Sequence, residues 1–305
     1  MKILVTGASG LLGRSLMTEL APLAGSPDAL IGTARSRITP PLQKLDLTDE
    51  PAVRQAFAEW APDLVIHAAA ERRPDVVDGE PAVAERLNVG ATELLARLAA
   101  GRGARFIYLS TDYVFDGKWP PYATDAQTAP LNAYGRMKLA GEDVVRAAYA
   151  AVSSNAFAIL RIPILYGRVE SLAESPVTEL AVKVLAGRAF KAEDWAMRYP
   201  AHVDDVARAI ALIAEQLTQE VHPVGGTYHF AGAEQITKYG MALAIAEALA
   251  VDSRLIEADP NPPAGALRPK DCRLDASRLL SLGFAPHIRF ADGILEALAP
   301  FRDQP

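Results

Sequence analysis

At 305 residues, the chain exceeds the usual size of one compact core and is long enough for two fused lobes. Half of its residues are hydrophobic and 22% are charged, as in folded globular proteins rather than disordered or fibrous ones. The formal net charge of −6 gives no reason to expect a nucleic acid or an anionic membrane as partner. The single cysteine, Cys272, excludes an internal disulfide and a cysteine-based metal cage, so we predict no metal site.

The sequence shows no targeting pattern at its start, because Met1 and Lys2 lead directly into a short apolar run. No segment reaches the roughly 18 apolar residues that a membrane-spanning helix requires. A single cysteine also fits a reducing compartment. We therefore expect a soluble, cytoplasmic protein.

The first half of the chain alternates short apolar runs with longer helical patterns, which is typical of βαβ units. Strands are predicted at residues 2–6, 29–33, 42–45, 63–67, 105–109 and 157–162, and helices at residues 11–24, 50–60, 81–100 and 132–150. Strands that are apolar throughout suit a parallel sheet covered on both faces. Short right-handed crossovers then favour a doubly wound parallel Rossmann sheet.

After Gly167 the pattern changes. Helices are predicted at residues 172–186, 203–217, 238–250, 275–280 and 290–297, with a loop at 221–226 and a short strand at 227–230. We predict that residues 1–166, with 203–222 returning to them, form the dinucleotide-binding Rossmann domain. Residues 167–202 and 223–305 then form a smaller C-terminal α/β lobe that binds the substrate.

A glycine-rich turn lies between the first strand and the first helix, where the sequence reads Thr-Gly-Ala-Ser-Gly-Leu-Leu-Gly from Thr6 to Gly13. Gly7 permits the tight turn, Gly10 lets the backbone approach a pyrophosphate, and Gly13 allows close helix–strand packing. The helix N-terminus supplies free N–H groups for the anion. The predicted phosphate cradle consists of Gly7, Ser9, Gly10, Leu11, Leu12 and Gly13. The alternative is a glycine-rich turn without a ligand.

The residues after the second strand favour NADP(H) over NAD(H). NAD sites carry an acidic residue there for the ribose hydroxyls, whereas this chain has Arg35 and Arg37 and no Asp or Glu. A guanidinium binds a 2′-phosphate through paired, charge-assisted hydrogen bonds. The alternative is that these arginines are solvated side chains of a loop.

Further cofactor contacts are predicted along the same sheet edge, after the third, fourth and later strands. The predicted residues are Asp46, Leu47, Ala68, Ala69, Ala70, Arg72, Arg161 and Pro163. Small residues at 68–70 would let the dinucleotide lie close to the backbone, although close helix packing explains them equally well. For the arginines, including Arg268, a surface ion pair is the alternative to an anion contact.

Tyr134 and Lys138 form the predicted reactive pair, because residues i and i+4 share one face of a helix. An ammonium beside a phenol should lower the phenol's pKa and let it exchange a proton with a substrate oxygen. The hydroxyl of Thr111 would orient a substrate carbonyl, and Asn88 would steady Lys138 through a water molecule. Lys138 would also hydrogen-bond the nicotinamide ribose. The alternative is a structural Tyr–Lys pair, since this spacing is common on helices.

The chain combines three motifs: Thr-Gly-x-x-Gly-x-x-Gly at the glycine turn, Ser-Thr-Asp-Tyr-Val-Phe-Asp-Gly at 110–117 and the Tyr-x-x-x-Lys pair. Together these motifs resemble the extended short-chain dehydrogenases/reductases, in particular the dTDP-4-dehydrorhamnose reductase group. Residues 67–77 and 160–167 are most similar to the regulatory beta-subunit family of methionine adenosyltransferase, which is known for regulating another enzyme. Ile164 stands where the rhamnose reductases carry a sugar-contacting tryptophan, which argues against dTDP-rhamnose chemistry. Thr111 replaces a serine of the beta subunits and keeps the hydroxyl.

The predicted substrate residues are Asp112, Val114, Ile164, Trp195 and Arg268. For Trp195, core packing is the favoured alternative to stacking on a sugar or base.

The resemblance and the reactive residues support two hypotheses. The first is an NADP-dependent oxidoreductase that reduces a carbonyl, such as a 4-keto nucleotide sugar. The alternative is a regulatory subunit that binds NADP without catalysis and docks on the catalytic subunit of methionine adenosyltransferase. A homodimer is a further arrangement compatible with either hypothesis. A family likeness cannot choose between them, because one fold hosts many functions.

Overall fold

The computed structural model describes residues 1–219 and 224–302. Its strands are β1 Ile3–Thr6, β2 Leu30–Ala34, β3 Gln43–Lys44, β4 Leu64–His67, β5 Arg105–Thr111, β6 Phe157–Ile162, β7 Leu165–Tyr166, β8 Phe190–Glu193, β9 Ala201–His202, β10 Gly226–His229 and β11 Ile256–Asp259. Its α-helices are α1 Leu11–Glu19, α2 Ala21–Ala24, α3 Glu50–Trp60, α4 Pro74–Gly79, α5 Pro81–Glu85, α6 Ala91–Arg102, α7 Ala133–Ala150, α8 Leu180–Leu185, α9 Val203–Thr218, α10 Lys238–Ala248, α11 Ser277–Leu280 and α12 Phe290–Leu298.

Seven strands form the main sheet in the order β10-β6-β5-β4-β1-β2-β3, and every pair is parallel. The order reverses at β1, whose Ile3 pairs with Leu64 on one side and with Leu30 on the other. In such sheets a ligand binds beyond the carboxyl ends of the strands at the reversal point. The predicted doubly wound Rossmann fold is therefore confirmed.

Helices cover both faces of this sheet. On one face α1 and α9 pack against the sheet around buried residues such as Leu16 and Ile210. On the other face α3, α6 and α7 bury residues such as Phe57 and Leu95. The central strands are buried on both sides, which explains why β1 and β4 are apolar almost throughout.

A smaller lobe contains the two-stranded parallel sheet of β8 and β11 together with α8, α10 and α12, which share a separate apolar core. The short parallel pair of β7 and β9 lies where the chain leaves and re-enters the Rossmann domain. One boundary differs from the prediction. β10, which we expected in the second lobe, pairs with β6 as the edge strand of the main sheet.

Three predicted helices are interrupted in the structure. The helix expected at 11–24 divides between α1 and α2, where Pro22 follows the break. The helix expected at 81–100 contains a π-helical turn at Arg86–Gly90, and only Leu180–Leu185 of the segment 172–186 is α-helical. Most of the loop predicted at 221–226 lies outside the described residues. In the part of the chain that is described, no helix is both long and apolar enough to cross a membrane.

A buried ion pair joins β6 to α7 beneath the carboxyl edge of the sheet. Arg161 donates to both carboxylate oxygens of Glu142 at 2.8 and 2.7 Å, and neither side chain is more than 3% exposed. Burial raises the pKa of Glu142, but Arg161, the Ser110 hydroxyl and the charge of Arg146 together outweigh it and leave the pKa below its usual value. Arg161 was predicted to contact the cofactor, yet its guanidinium is committed to this internal pair and does not line the cleft described below.

Arg161→Leu should destabilise the protein by about 3–5 kcal/mol, because it leaves the Glu142 carboxylate buried without its main counter-ion. Urea unfolding measures this change. Arg97→Leu is the matched control, since Arg97 forms only an exposed pair with Glu93 at 3.2 Å, and it should shift the free energy of unfolding by less than about 0.5 kcal/mol. An Arg161→Leu protein as stable as the control variant would contradict this account.

Candidate functional site

A cleft of about 760 Å³ opens at the carboxyl ends of the main strands, beside the reversal point of the sheet. Most of the predicted site residues line it. From the cofactor prediction these are Gly7, Ser9, Gly10, Leu11, Leu12, Gly13, Arg35, Arg37, Asp46, Leu47, Ala68, Ala69, Ala70, Arg72, Tyr134, Lys138 and Pro163. Thr111, Asp112, Ile164 and Arg268 line it as well. The cleft therefore brings together residues that are up to 261 positions apart in the sequence, from Gly7 to Arg268.

The glycine turn between β1 and α1 is packed so tightly that side chains are excluded. Gly7 has φ +72°, a left-handed conformation that favours glycine. A Cβ on Gly13 would lie 2.1 Å from the Gly7 carbonyl oxygen, which is far inside contact distance. Gly10 precedes α1 with extended backbone and no capping side chain. This arrangement leaves the amides of the first helical turn free to bind a phosphate.

Residues 68–70 are held next to this turn by a buried hydrogen-bond chain. The Thr6 hydroxyl bonds to His67 Nδ1 at 2.7 Å and accepts the backbone N–H of Ala69 at 3.3 Å. His67 is fully buried, and burial lowers its pKa to about 3, so the ring is neutral. A Cβ on Gly7 would come within 3.0 Å of Ala69, so this backbone segment forms the wall of the cradle.

The arginines at the rim already have carboxylate partners from the protein itself. Arg35, which is 72% exposed, lies 3.2 Å from Asp46. Arg37 reaches Glu170 at 3.1 Å and Glu174 at 2.7 Å, and Arg72 donates to the carbonyl of Glu174. Arg35, Arg37 and Arg72 thus border the cleft near the glycine turn, where a dinucleotide's phosphates would lie.

Tyr134 and Lys138 lie one helical turn apart on α7 and both line the cleft beside Thr111. The Lys138 ammonium nitrogen lies 4.1 Å from the centre of the Tyr108 ring. The Thr111 hydroxyl donates to Asp112 at 3.0 Å and accepts the backbone N–H of Tyr113 at 3.2 Å. A phenol, an amine and a hydroxyl therefore meet at one end of the cleft.

Protonation of this pair differs from the sequence-based expectation. Burial and the nearby Asp112 carboxylate raise the pKa of the Tyr134 phenol, and the Thr111 hydroxyl only partly opposes the shift. Burial lowers the pKa of Lys138 to about 7, although Glu142 acts in the opposite direction. The expected lowering of the phenol's pKa by Lys138 is therefore wrong for this structure. At neutral pH the Tyr134 phenol carries its proton.

Asn88 does not line the cleft. Its side chain lies within the π-helical turn, where it accepts the backbone N–H of Glu71 at 2.8 Å and donates to the Glu71 carbonyl at 2.9 Å. Both bonds fix the backbone that leads to Arg72, so Asn88 shapes the rim of the cleft, and its water-mediated contact with Lys138 stays a prediction. The tertiary fold decides this outcome, because the sequence does not show the partner of a buried amide.

Two predicted substrate residues also lie outside the cleft lining. Val114 is fully buried in a small apolar cluster with Phe115 and Tyr122. Trp195 packs with Lys270, whose ammonium lies 6.0 Å from its ring. Val114 therefore packs against protein, whereas Trp195 is only partly buried, and its contact with a substrate stays a prediction.

Sequence reasoning missed two basic residues of the second lobe that line the cleft, Arg198 and Lys238. Arg198, only 6% exposed, is 3.6 Å from Glu193, and among the described residues its Nη2 atom has no hydrogen-bond partner. Lys238 begins α10, and burial together with the charges of Arg198 and Arg268 lowers its pKa. Arg268 is the third basic side chain of this part of the lining, and it also forms the ion pair that was its alternative role, with Asp75 at 2.7 Å. No spacing in the sequence links these three residues, since each comes from a different segment of the second lobe.

The structure combines a parallel Rossmann sheet, a glycine cradle, a Tyr–Lys pair on one helix and a smaller lobe over the cleft. Together these features define an extended short-chain dehydrogenase/reductase. The family model described as "RmlD substrate binding domain" matches residues 1–302, and the chain belongs to this family.

Relatives of two kinds resemble the chain over nearly its whole length. Methionine adenosyltransferase 2 subunit beta of Mus musculus is 42% identical over 98% of this chain and 88% of that protein. A Streptomyces antibioticus protein named "Probable dTDP-4,6-dihydroxy-2-methyloxan-3-one 4-ketoreductase" is 33% identical over 97% of this chain and 94% of its own length. The structure of dTDP-4-dehydrorhamnose reductase from Bacillus anthracis in complex with NADP superposes with a TM-score of 0.80, at 25% identity, covering 98% of this chain and 99% of that one.

Lys138 should lose its proton near pH 7, because burial disfavours the ammonium form. Since the unfolded lysine stays protonated up to about pH 10.4, the folded protein binds fewer protons between pH 7 and 10, and its stability gains from rising pH in that window. NMR of lysine side-chain nitrogen measures the titration, with Lys138→Gln assigning the signal. A Lys138 midpoint above pH 9 would contradict the burial argument.

Proposed function

We propose that the protein is an NADPH-dependent reductase that converts a substrate carbonyl to an alcohol. The observation that carries the proposal is the convergence of Thr111, Tyr134 and Lys138 at one end of the cleft, with a dinucleotide cradle at the other. A buried phenol and amine on one helical face are the groups that proton transfer to a carbonyl oxygen uses.

The cradle fits a nicotinamide dinucleotide. Gly7 and Gly13 leave no space for side chains at the turn, and the first turn of α1 contains no acidic residue that would repel a pyrophosphate. Arg35 and Arg37 at the end of β2 favour NADP(H), because they offer guanidinium groups where NAD sites have an acid. The NADP complex of the related reductase supports the same choice.

Each reactive side chain has a separate role in the proposed reduction. A nicotinamide cofactor held by the glycine cradle would supply the hydride for the carbonyl carbon. Tyr134 gives its proton to the carbonyl oxygen, which its raised pKa permits at neutral pH. Thr111 orients the carbonyl through its hydroxyl, and the charged form of Lys138 stabilises the phenolate that remains. The products are the alcohol, NADP⁺ and a phenolate that takes a proton from solvent.

The substrate we propose is a nucleotide sugar with a keto group. Arg198, Lys238 and Arg268 supply positive charge at the end of the cleft formed with the second lobe, which suits an anionic diphosphate. The Streptomyces relative, named as a 4-ketoreductase, supports a keto sugar. Ile164 lines the cleft in place of the expected tryptophan, so dTDP-4-dehydrorhamnose itself is not the substrate that we favour.

Tyr134→Phe should lower the rate of NADPH oxidation by about 10²- to 10⁴-fold with a reducible keto sugar, because the proton donor is lost. Loss of absorbance by NADPH measures turnover across a panel of keto nucleotide sugars, and calorimetry should find NADP⁺ binding unchanged. Tyr113→Phe is the matched control, because it removes another phenol of the cleft and should retain most of the activity. A wild-type protein that binds NADPH but turns over no member of the panel would refute the proposal.

A second candidate function is a regulatory subunit of methionine adenosyltransferase. Its support is the 42% identity to the mouse beta subunit over almost the entire chain. In this function the Tyr–Lys pair would hold the cofactor and no substrate would turn over. The partner would be a catalytic methionine adenosyltransferase subunit.

Mixing the purified chain with a methionine adenosyltransferase catalytic subunit at micromolar concentration separates the two candidates. Co-elution on size exclusion, or a change in the synthetase's kinetics, would favour the regulatory function. Absence of both effects would refute it. A cytoplasmic location and a homodimer stay predictions, and the same column run reports the oligomeric state.

A further inference from the structure

A short segment of the second lobe, residues 168–176, lies along the rim of the cofactor cleft, and we call it the strap. Its two carboxylates, Glu170 and Glu174, bind arginines of the Rossmann domain. Arg14 contacts Glu174 through two hydrogen bonds at 2.8 and 2.7 Å, and Arg37 contacts Glu174 at 2.7 Å. Arg72 donates to the backbone carbonyl of Glu174. The strap is therefore attached to three basic side chains on the phosphate side of the cleft.

The Glu174 carboxylate is the centre of these contacts. Its side chain is 8% exposed and also accepts the backbone N–H of Glu170 at 3.0 Å. Burial raises its pKa, but hydrogen bonds from Arg14, the Glu170 backbone and Arg37 outweigh burial and lower the pKa to about 2. Glu174 is thus an anion throughout the physiological pH range.

Arg37 is the arginine for which a cofactor would compete. It follows β2, where the 2′-phosphate of an NADP molecule lies, and its side chain is half exposed. Its Nη1 atom contacts both Glu170 at 3.1 Å and Glu174 at 2.7 Å. A phosphate and these carboxylates are alternative counter-ions for this one guanidinium, and the carboxylates occupy its Nη1 atom. NAD⁺ has no 2′-phosphate and does not need them.

We propose that Glu174 is a specificity-determining residue, an internal anion that competes with the 2′-phosphate of NADP for Arg37. The inference rests on the proposed NADP site and adds the residue that opposes it. NADP must take Arg37 from the strap, whereas NAD⁺ leaves the strap contact in place. Glu174 therefore reduces the preference for NADP that Arg35 and Arg37 create.

A supporting role for Glu174 would have the opposite consequence. If the carboxylate served only to position Arg14 and Arg37 for the cofactor, its removal would weaken NADP binding. The sign of the change in affinity therefore decides between competition and support.

Calorimetric titration of Glu174→Gln with NADP⁺ and with NAD⁺ tests the proposal directly. We expect the Kd for NADP⁺ to fall by about three- to tenfold, because one competing charge is removed from a partly buried arginine. The Kd for NAD⁺ should stay within about twofold of the wild-type value. Glu179→Gln is the matched control. Glu179 lines the same cleft, and in the described part of the chain it forms no ion pair, so its loss should affect both coenzymes equally and weakly.

Two further variants keep the test decisive. Glu170→Gln changes an exposed side chain that contacts Arg37, so it should fold normally and tighten NADP⁺ binding in the same direction by a smaller factor. In an Arg37→Gln background, Glu174→Gln should no longer tighten NADP⁺ binding, because the guanidinium for which the carboxylate and the 2′-phosphate compete is absent.

Unchanged or weaker NADP⁺ binding by both Glu174→Gln and Glu170→Gln would overturn the proposal, as would a wild-type protein that binds neither coenzyme. An equal gain for NAD⁺ would overturn it too, since it would show a general charge effect. These measurements record binding only. A protein that reduces no keto sugar can still show the predicted affinities, so failure of the reductase function and failure of this inference are distinguishable.

Discussion

The close approach of Gly13 to the carbonyl of Gly7 is the constraint on which the cofactor site depends. A side chain at Gly13 would lie 2.1 Å from that oxygen, so helix α1 can begin directly at the end of β1 only because both residues are glycine. This packing brings the helix N-terminus to the carboxyl edge of the sheet at the reversal point of the strand order. The Ala69 backbone closes the other side of the turn. The remaining residues of the cleft are arranged around this turn.

Burial determines the chemistry at the other end of the cleft. The same desolvation raises the pKa of the Tyr134 phenol and lowers that of the Lys138 ammonium, so both side chains favour their neutral forms. A neutral phenol is the protonation state that carbonyl reduction needs. Beneath them, the pair of Glu142 with Arg161 places full charges in the interior, where each compensates the other. The reactive helix therefore presents a protonated phenol and a readily titrated amine to the cleft, with a paired charge below them.

The second lobe contributes charge of both signs to the cleft. Its strap brings Glu170 and Glu174 to the arginines of the Rossmann domain, while Arg198, Lys238 and Arg268 face the substrate end. Residues of the second lobe thus border both the proposed cofactor phosphates and the proposed substrate anion.

Local patterns in the sequence were sufficient to predict the Rossmann sheet, the glycine turn between β1 and α1, and the shared helical face of Tyr134 and Lys138. Strand periodicity, glycine spacing and the i, i+4 relation are properties of neighbouring residues, so they can be read without coordinates. Only the tertiary structure decided that Arg161 and Asn88 have internal partners, that β10 joins the main sheet, and that Arg198 and Glu174 reach the cleft. Those outcomes depend on contacts between distant segments and on burial, and no local pattern specifies either quantity.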